Sequence, residues 1–152
     1  MFDVIQELEM SAIGNVKEPI RGYDFDAGID FFIPNDFQEA ILSWGESITI
    51  PSKIKVNVPK GYMLKAEDKS GVARDLGLQI GASVVDFGYQ GEVHIHLTKI
   101  TKGTIHLKPG QKIAQFILEP ISNCKIKIVP IEKLYESKSE RGEGGFGSTG
   151  KF

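Results

Sequence analysis

One stretch of this chain carries the parts of a small-molecule pocket. From Gly81 to Val93 it reads Gly-Ala-Ser-Val-Val-Asp-Phe-Gly-Tyr-Gln-Gly-Glu-Val. Asp86 ends an apolar arm, and Tyr89 follows at a turn where Gly88 and Gly91 supply backbone freedom. Gly81 and Ala82 lead in with almost no side chain, so a flat ligand can reach bare N–H and C=O groups. A buried acid, a ring and open backbone on a β-hairpin predict a nucleoside pocket. Taken alone, an ordinary hairpin with a surface Asp explains the stretch as well.

The C-terminal segment adds a second set of parts. Residues 136–152 hold five Gly and three Ser, and Phe146 and Phe152 are their only large apolar residues. Such a segment cannot bury enough surface to fold alone, and a disordered end is its plain reading. Its order is more specific: Arg141, Gly144-Gly145, Phe146, Gly147, Ser148-Thr149. That places a cation, a ring and two hydroxyls on a flexible arm able to close over a charged nucleotide. Cleavage of a nucleoside triphosphate needs a water aimed at phosphorus, a base for it, and charge stabilisation on the polyphosphate. Asp86 is the carboxylate placed to be that base.

The elements that must position these residues read as short strands and turns. Ile54, Val56 and Val58 alternate with Lys53, Lys55 and Asn57, and Val93, Ile95 and Leu97 alternate with His94, His96 and Thr98, the period of half-buried strands. Further strands are expected around Val4–Leu8, from Ala27 to Phe32, at Ser47–Ile50 closed by Pro51, at Tyr62–Ala66, Thr104–Leu107 and Ile113–Leu118, and at Lys125–Val129 between Pro120 and Pro130. Ser70–Leu76 predicts a short helix, capped by Asp68 or Ser70 and ended by Gly77. Turn residues recurring about every 8–12 positions suggest an all-β barrel or sandwich. We expect a β domain over residues 1–135 and a flexible arm over 136–152. Residues 1–26 and the segment Phe37–Trp44 are the least explained parts of the chain.

Composition narrows the function classes. At 152 residues, one domain with a real core is expected. A net charge of -2 does not favour a nucleic-acid surface. The single cysteine, Cys124, cannot form an internal disulfide. No apolar run approaches a membrane span of about 18 residues, and the acidic start lacks a signal peptide's basic region. A soluble cytoplasmic protein without membrane partners is expected. His94, His96 and His106 show no diagnostic zinc spacing.

Five stretches, in order, resemble the motifs of the trimeric dUTP pyrophosphatases (dUTPases). They are Ala27-Gly28-Ile29-Asp30, Lys69-Ser70-Gly71-Val72-Ala73, the Gly81–Val93 stretch, Gly110-Gln111-Lys112-Ile113-Ala114-Gln115, and the run from Arg141 to Gly150. The resemblance implies a jelly-roll-like distorted barrel, a homotrimer with shared sites, and Mg²⁺-dependent hydrolysis of dUTP to dUMP and pyrophosphate. It makes Asp86 the water-activating residue and Tyr89 the ring under the deoxyribose. Gly81, Ala82 and Val84 become the backbone edge that reads uracil. Lys69, Ser70, Gly71, Gln115, Arg141, Gly147, Ser148 and Thr149 become phosphate-side residues, with Phe146 stacked on uracil. Asp30 becomes the acid that supports the metal through water.

The chain departs from the family pattern in places. Asp68-Lys69 stands where the family usually has Pro-Arg, and Ser83 where it often has Gly. Lys69 keeps the charge but lacks the guanidinium fork, and Asp68 adds an acid beside a polyanion site. These departures keep an alternative open, a dUTP-responsive binding or regulatory trimer with weak or no catalysis. A related dCTP deaminase is the nearest enzymatic alternative, though those relatives lack the fifth motif.

Overall fold

The computed structural model describes residues 6–152. The chain separates into two compact units, one ending at Ser122 and the other covering Asn123–Phe152. Among the described residues, no helix is long and apolar enough to cross a membrane.

The first unit is all-β, in the jelly-roll-like manner expected. One antiparallel sheet has the order β1 (Glu9–Ala12), β4 (Ser47–Asn57), β8 (Glu92–Lys99), β6 (Leu78–Gly81). A second has the order β2 (Ile29–Phe32), β10 (Lys112–Pro120), β5 (Tyr62–Glu67), β7 (Val84–Asp86). A ribbon pairs β3 (Ala40–Ser43) with β9 (Thr104–Leu107), which gives the unassigned Phe37–Trp44 segment its place. The apolar parity of β4 and β8 aims Ile50, Ile54, Val56, Val93, Ile95 and Leu97 at one core, and Phe31, Leu64 and Phe116 enter it from the second sheet. The Phe31 and Phe116 rings meet at 4.3 Å between centroids. Removing this surface from water is the main favourable term that orders the strands.

Several expectations are corrected. The Gly81–Val93 stretch is not a hairpin ladder: β7 pairs with β5, and β8 pairs with β4 and β6. The chain leaves the first sheet after β6, crosses to the second for β7, and returns. Alternation marks a strand but not its partner, so a crossover reads like a hairpin. Strand β4 does not stop at Pro51. It continues to Asn57, with its register against β8 shifting between Pro51 and Lys55. β1 covers only Ile54–Asn57, so Pro51 lies where just one neighbour needs backbone donors. The expected strand around Val4–Leu8 lies partly outside the described residues, and the first described strand is β1.

The expected short helix is present from Ser70 to Leu76, its Val72–Leu76 part a π-helical turn ended by Gly77 at φ 60°. Any Cβ on Gly77 would lie 1.8 Å from Thr101 Oγ1, so both backbone and space demand glycine. No side chain caps the turn's start. Asp68 instead accepts the Ile80 N–H through Oδ1 at 2.7 Å.

In the second unit, Lys125–Val129 forms no strand, and a 3-10 turn at Ile131–Lys133 is its one regular element. Ile126 and Ile128 are 81% and 90% exposed. A strand needs a neighbouring backbone to satisfy its N–H and C=O groups, and this unit offers none.

Candidate functional site

Two concavities on the first unit collect seven of the fifteen candidate residues. Ala82, Val84, Asp86 and Tyr89 line the first, of about 270 Å³, with Glu92 and His94. Ala82 is the residue that turns the chain from β6 toward β7, at φ 48°. That left-handed backbone costs a non-glycine residue about 1–2 kcal/mol. It is held at the edge expected to read the base. Gly81, before it, pairs with His96, and a Cβ on Gly81 would sit 2.7 Å from His96 Cδ2.

Asp86 is exposed in the single chain, not buried as expected, because β7 is a short edge strand paired only with β5. The Tyr89 N–H donates to the Asp86 carbonyl at 3.2 Å, closing the turn. The Tyr89 hydroxyl donates to the Glu92 carbonyl at 2.9 Å. The ring crosses over Gly91, where a Cβ would fall 2.3 Å from the hydroxyl oxygen. Glu92 is engaged elsewhere, accepting the Lys53 N–H through Oε1 at 2.7 Å. Asp86 is therefore the carboxylate of this concavity left available for proton chemistry.

The second concavity, of about 460 Å³, is lined by Gly28, Asp30, Lys69, Lys112 and Gln115, with the exposed Tyr23 at its rim. Asp30 projects from β2 away from the apolar core yet is only 4% exposed. Lys69 donates to its Oδ1 at 2.8 Å and Lys112 to its Oδ2 at 2.9 Å. Burial pushes the Asp30 carboxyl upward, but the two ammonium groups outweigh it and hold the group below the ordinary aspartate value. Asp30 is therefore ionised at neutral pH, and the triad carries a net positive charge. With both oxygens engaged, it does not fit a Mg²⁺ held directly by protein. Among the described residues, no cluster of three His, Cys, Asp or Glu offers such a cage either.

Gln115 is held by its neighbours. Its Nε2 donates to the Asp68 carbonyl at 2.7 Å, and its Oε1 lies 2.0 Å from where a Cβ on Gly28 would sit. Gly28→Ala should push the amide aside and break that bond. Under the dUTPase activity that the sequence motifs imply, the dUTP KM should rise about three- to tenfold, as one hydrogen bond is worth about 1 kcal/mol. Steady-state kinetics on the purified variant would check this. One Asp68 carboxylate oxygen is committed to the Ile80 N–H. Ser70 and Gly71 are exposed just beyond Lys69 and do not line the concavity.

Lys112 was not among the expected site residues. In a regular strand, Lys112 and Gln115 would face opposite sides. The β10–β2 register shifts between Lys112 and Ala114. This bulge resets the parity and brings both side chains to one concavity.

The two concavities are separate. Asp86 pairs with Met63 and Gln115 pairs with Glu67, on the two flanks of β5. Four residues of strand put them at least about 13 Å apart. Arg141, Phe146, Gly147, Ser148 and Thr149 belong to the second unit. There Arg141 Nε donates to the Gly144 carbonyl at 2.8 Å, Ser148 N–H donates to the Gly145 carbonyl at 3.1 Å, and Phe146 is fully exposed at φ 48°.

Comparison with known proteins places this arrangement. The dUTPase family profile matches residues 15–150. The chain is 37% identical over 135 residues to the deoxyuridine 5'-triphosphate nucleotidohydrolase of Candida albicans, covering 89% of this chain and 82% of that protein. It is 34% identical over 139 residues to that of Clostridium tetani, covering 90% and 91%. The dUTPase of Staphylococcus bacteriophage 80alpha, solved with dUpNHpp, superimposes with a TM-score of 0.82 at 28% identity, covering 97% of this chain and all of that one. The match spans both concavities and the arm as far as Gly150, and this chain belongs to the dUTPase family.

Proposed function

We propose that this protein hydrolyses dUTP to dUMP and pyrophosphate. The observation that carries the reading is that Asp86, Tyr89 and the Ala82–Val84 edge line one concavity, within a family match that continues through the arm. The named activity of the yeast and clostridial relatives supports it, as does the nucleotide held by the phage protein.

In this reading the Gly81, Ala82 and Val84 backbone pairs with the edge of uracil, leaving no space for a thymine methyl. The Tyr89 ring packs under the sugar and rejects a ribose hydroxyl by contact. Asp86 orients a water and takes its proton as the water oxygen attacks the α-phosphorus. The bond to the bridging oxygen breaks, and pyrophosphate leaves. Lys69, Ser70, Gly71 and Gln115 receive the phosphates. The arm, residues 136–152, closes with Phe146 over the base and Arg141, Ser148 and Thr149 on the phosphates, with Gly147 allowing close approach. A Mg²⁺ accompanying the substrate would offset polyphosphate charge, and Asp30 would support it through water rather than hold it directly.

The separation of the two concavities supports a homotrimer. One copy would supply the nucleoside half, the next the phosphate half, and a third the arm. The product would feed thymidylate synthesis in the cytoplasm while dUTP is kept low.

The test is pyrophosphate release with Mg²⁺ from dUTP, dTTP, dCTP and UTP. Release confined to dUTP is expected. Binding of dUTP without release would overturn hydrolysis in favour of a dUTP-responsive binding protein.

A further inference from the structure

We propose that Lys112 is a positioning residue for the triphosphate. It keeps the buried Asp30 carboxylate neutralised, so that the Lys69 ammonium can pass from Asp30 to a phosphate. This rests on reading the Asp30 concavity as the phosphate half of the site.

The triad is asymmetric. Asp30 has one charge and two ammonium partners, each on its own oxygen. Among the described residues the Lys69 ammonium has only that contact, whereas Lys112 also lies 5.8 Å from the centroid of the buried Phe32 ring. A cation over an aromatic face is attracted by the ring quadrupole. Lys112 is thus held from two sides and Lys69 from one, so Lys69 is the ammonium an arriving phosphate can draw away.

The exchange needs Lys112. A buried carboxylate stripped of its only partner is strongly disfavoured. With Lys112 in place, Asp30 keeps one ammonium after Lys69 leaves. Without it, the same movement would strand the charge, and Lys69 would stay on Asp30. The identity of residue 69 makes this handover necessary. An arginine has a fork of donors that can serve carboxylate and phosphate together, whereas a lysine is a point charge. Lys17 provides an internal control: its ammonium lies 4.6 Å from the same Phe32 centroid, but it makes no ion pair with Asp30.

The experiment uses the full chain, with calorimetric binding of inorganic tripolyphosphate and steady-state kinetics on dUTP. Lys112→Met should raise the tripolyphosphate Kd and the dUTP KM about tenfold, as expected when a buried charge loses its compensation, with kcat within about twofold. Lys112→Arg should restore both, and Lys17→Met should shift them by less than about twofold. Adding Asp30→Asn to Lys112→Met removes the charge to be neutralised, so the double variant should bind tripolyphosphate more tightly than Lys112→Met alone. If Lys112→Met fails to fold, that second substitution should restore a cooperative melt.

Equal losses in Lys112→Met and Lys17→Met would reduce the effect to bulk charge and overturn the proposal. So would an unchanged Kd in Lys112→Met, no tripolyphosphate binding by the wild type, or no rescue by the double variant. A wild type that fails to cleave dUTP yet shows this tripolyphosphate pattern would sink the hydrolase reading and leave the role of Lys112 standing. Normal dUTP cleavage without the pattern would do the reverse.

Discussion

Asp86→Asn should lower kcat for dUTP by about 10²–10⁴-fold, the usual contribution of a positioned general base. The amide is nearly isosteric and can still hold a water, but it cannot take the proton. The loss should therefore fall on kcat more than on KM. Glu92, the other carboxylate of that concavity, cannot substitute while it accepts the Lys53 N–H. Stability should hardly change, since Asp86 is exposed and surface substitutions usually stay within about 0.5 kcal/mol. Single-turnover pyrophosphate release and a thermal melt on the same preparation separate the two effects. A drop of less than tenfold with an intact melt would remove Asp86 from the role of base.

Ending the chain after Ser139 should cost about 10²–10³-fold in kcat/KM while the melting temperature stays close to that of the full chain. Residues 140–152 bury no large side chain, and Phe146 and Phe152 are fully exposed. Their removal takes nothing from the Phe31–Phe116 core. It does take Arg141, Ser148 and Thr149, the proposed phosphate donors, and losing even one donor preorganised on developing charge costs a factor of that size. Water would also reach the site once the closing arm is gone. Kinetics on the truncated chain, with its melt alongside, decide the matter. Full activity would return the arm to the plain reading of a disordered end, and a collapsed melt would make it part of the fold.

Local chemistry was enough to reveal much of this protein. The alternation through Val93, Ile95 and Leu97 depends only on side-chain parity, so β8 was legible. Gly77 was legible as a stop because a left-handed residue favours glycine whatever surrounds it. Asp86, Tyr89 and the open backbone at Ala82 lie close in sequence, and the fold brings them to one concavity. What the sequence left open concerns partners. Which strand β7 pairs with, whether Pro51 interrupts β4, and whether Lys125–Val129 becomes a strand all depend on a distant backbone. The same holds for charge. The sequence did not show that one Asp68 oxygen accepts the Ile80 N–H, or that Lys69 and Lys112 engage both oxygens of Asp30. Lys112 entered the site through one bulge in β10, because a single extra residue reverses the parity that sequence reading relies on. Residue types and order thus determined the alternating strands such as β8 and the candidate chemistry. Tertiary structure alone decided which charges are already paired and that the two concavities lie apart on one chain, since both are set by contacts between residues far apart in sequence.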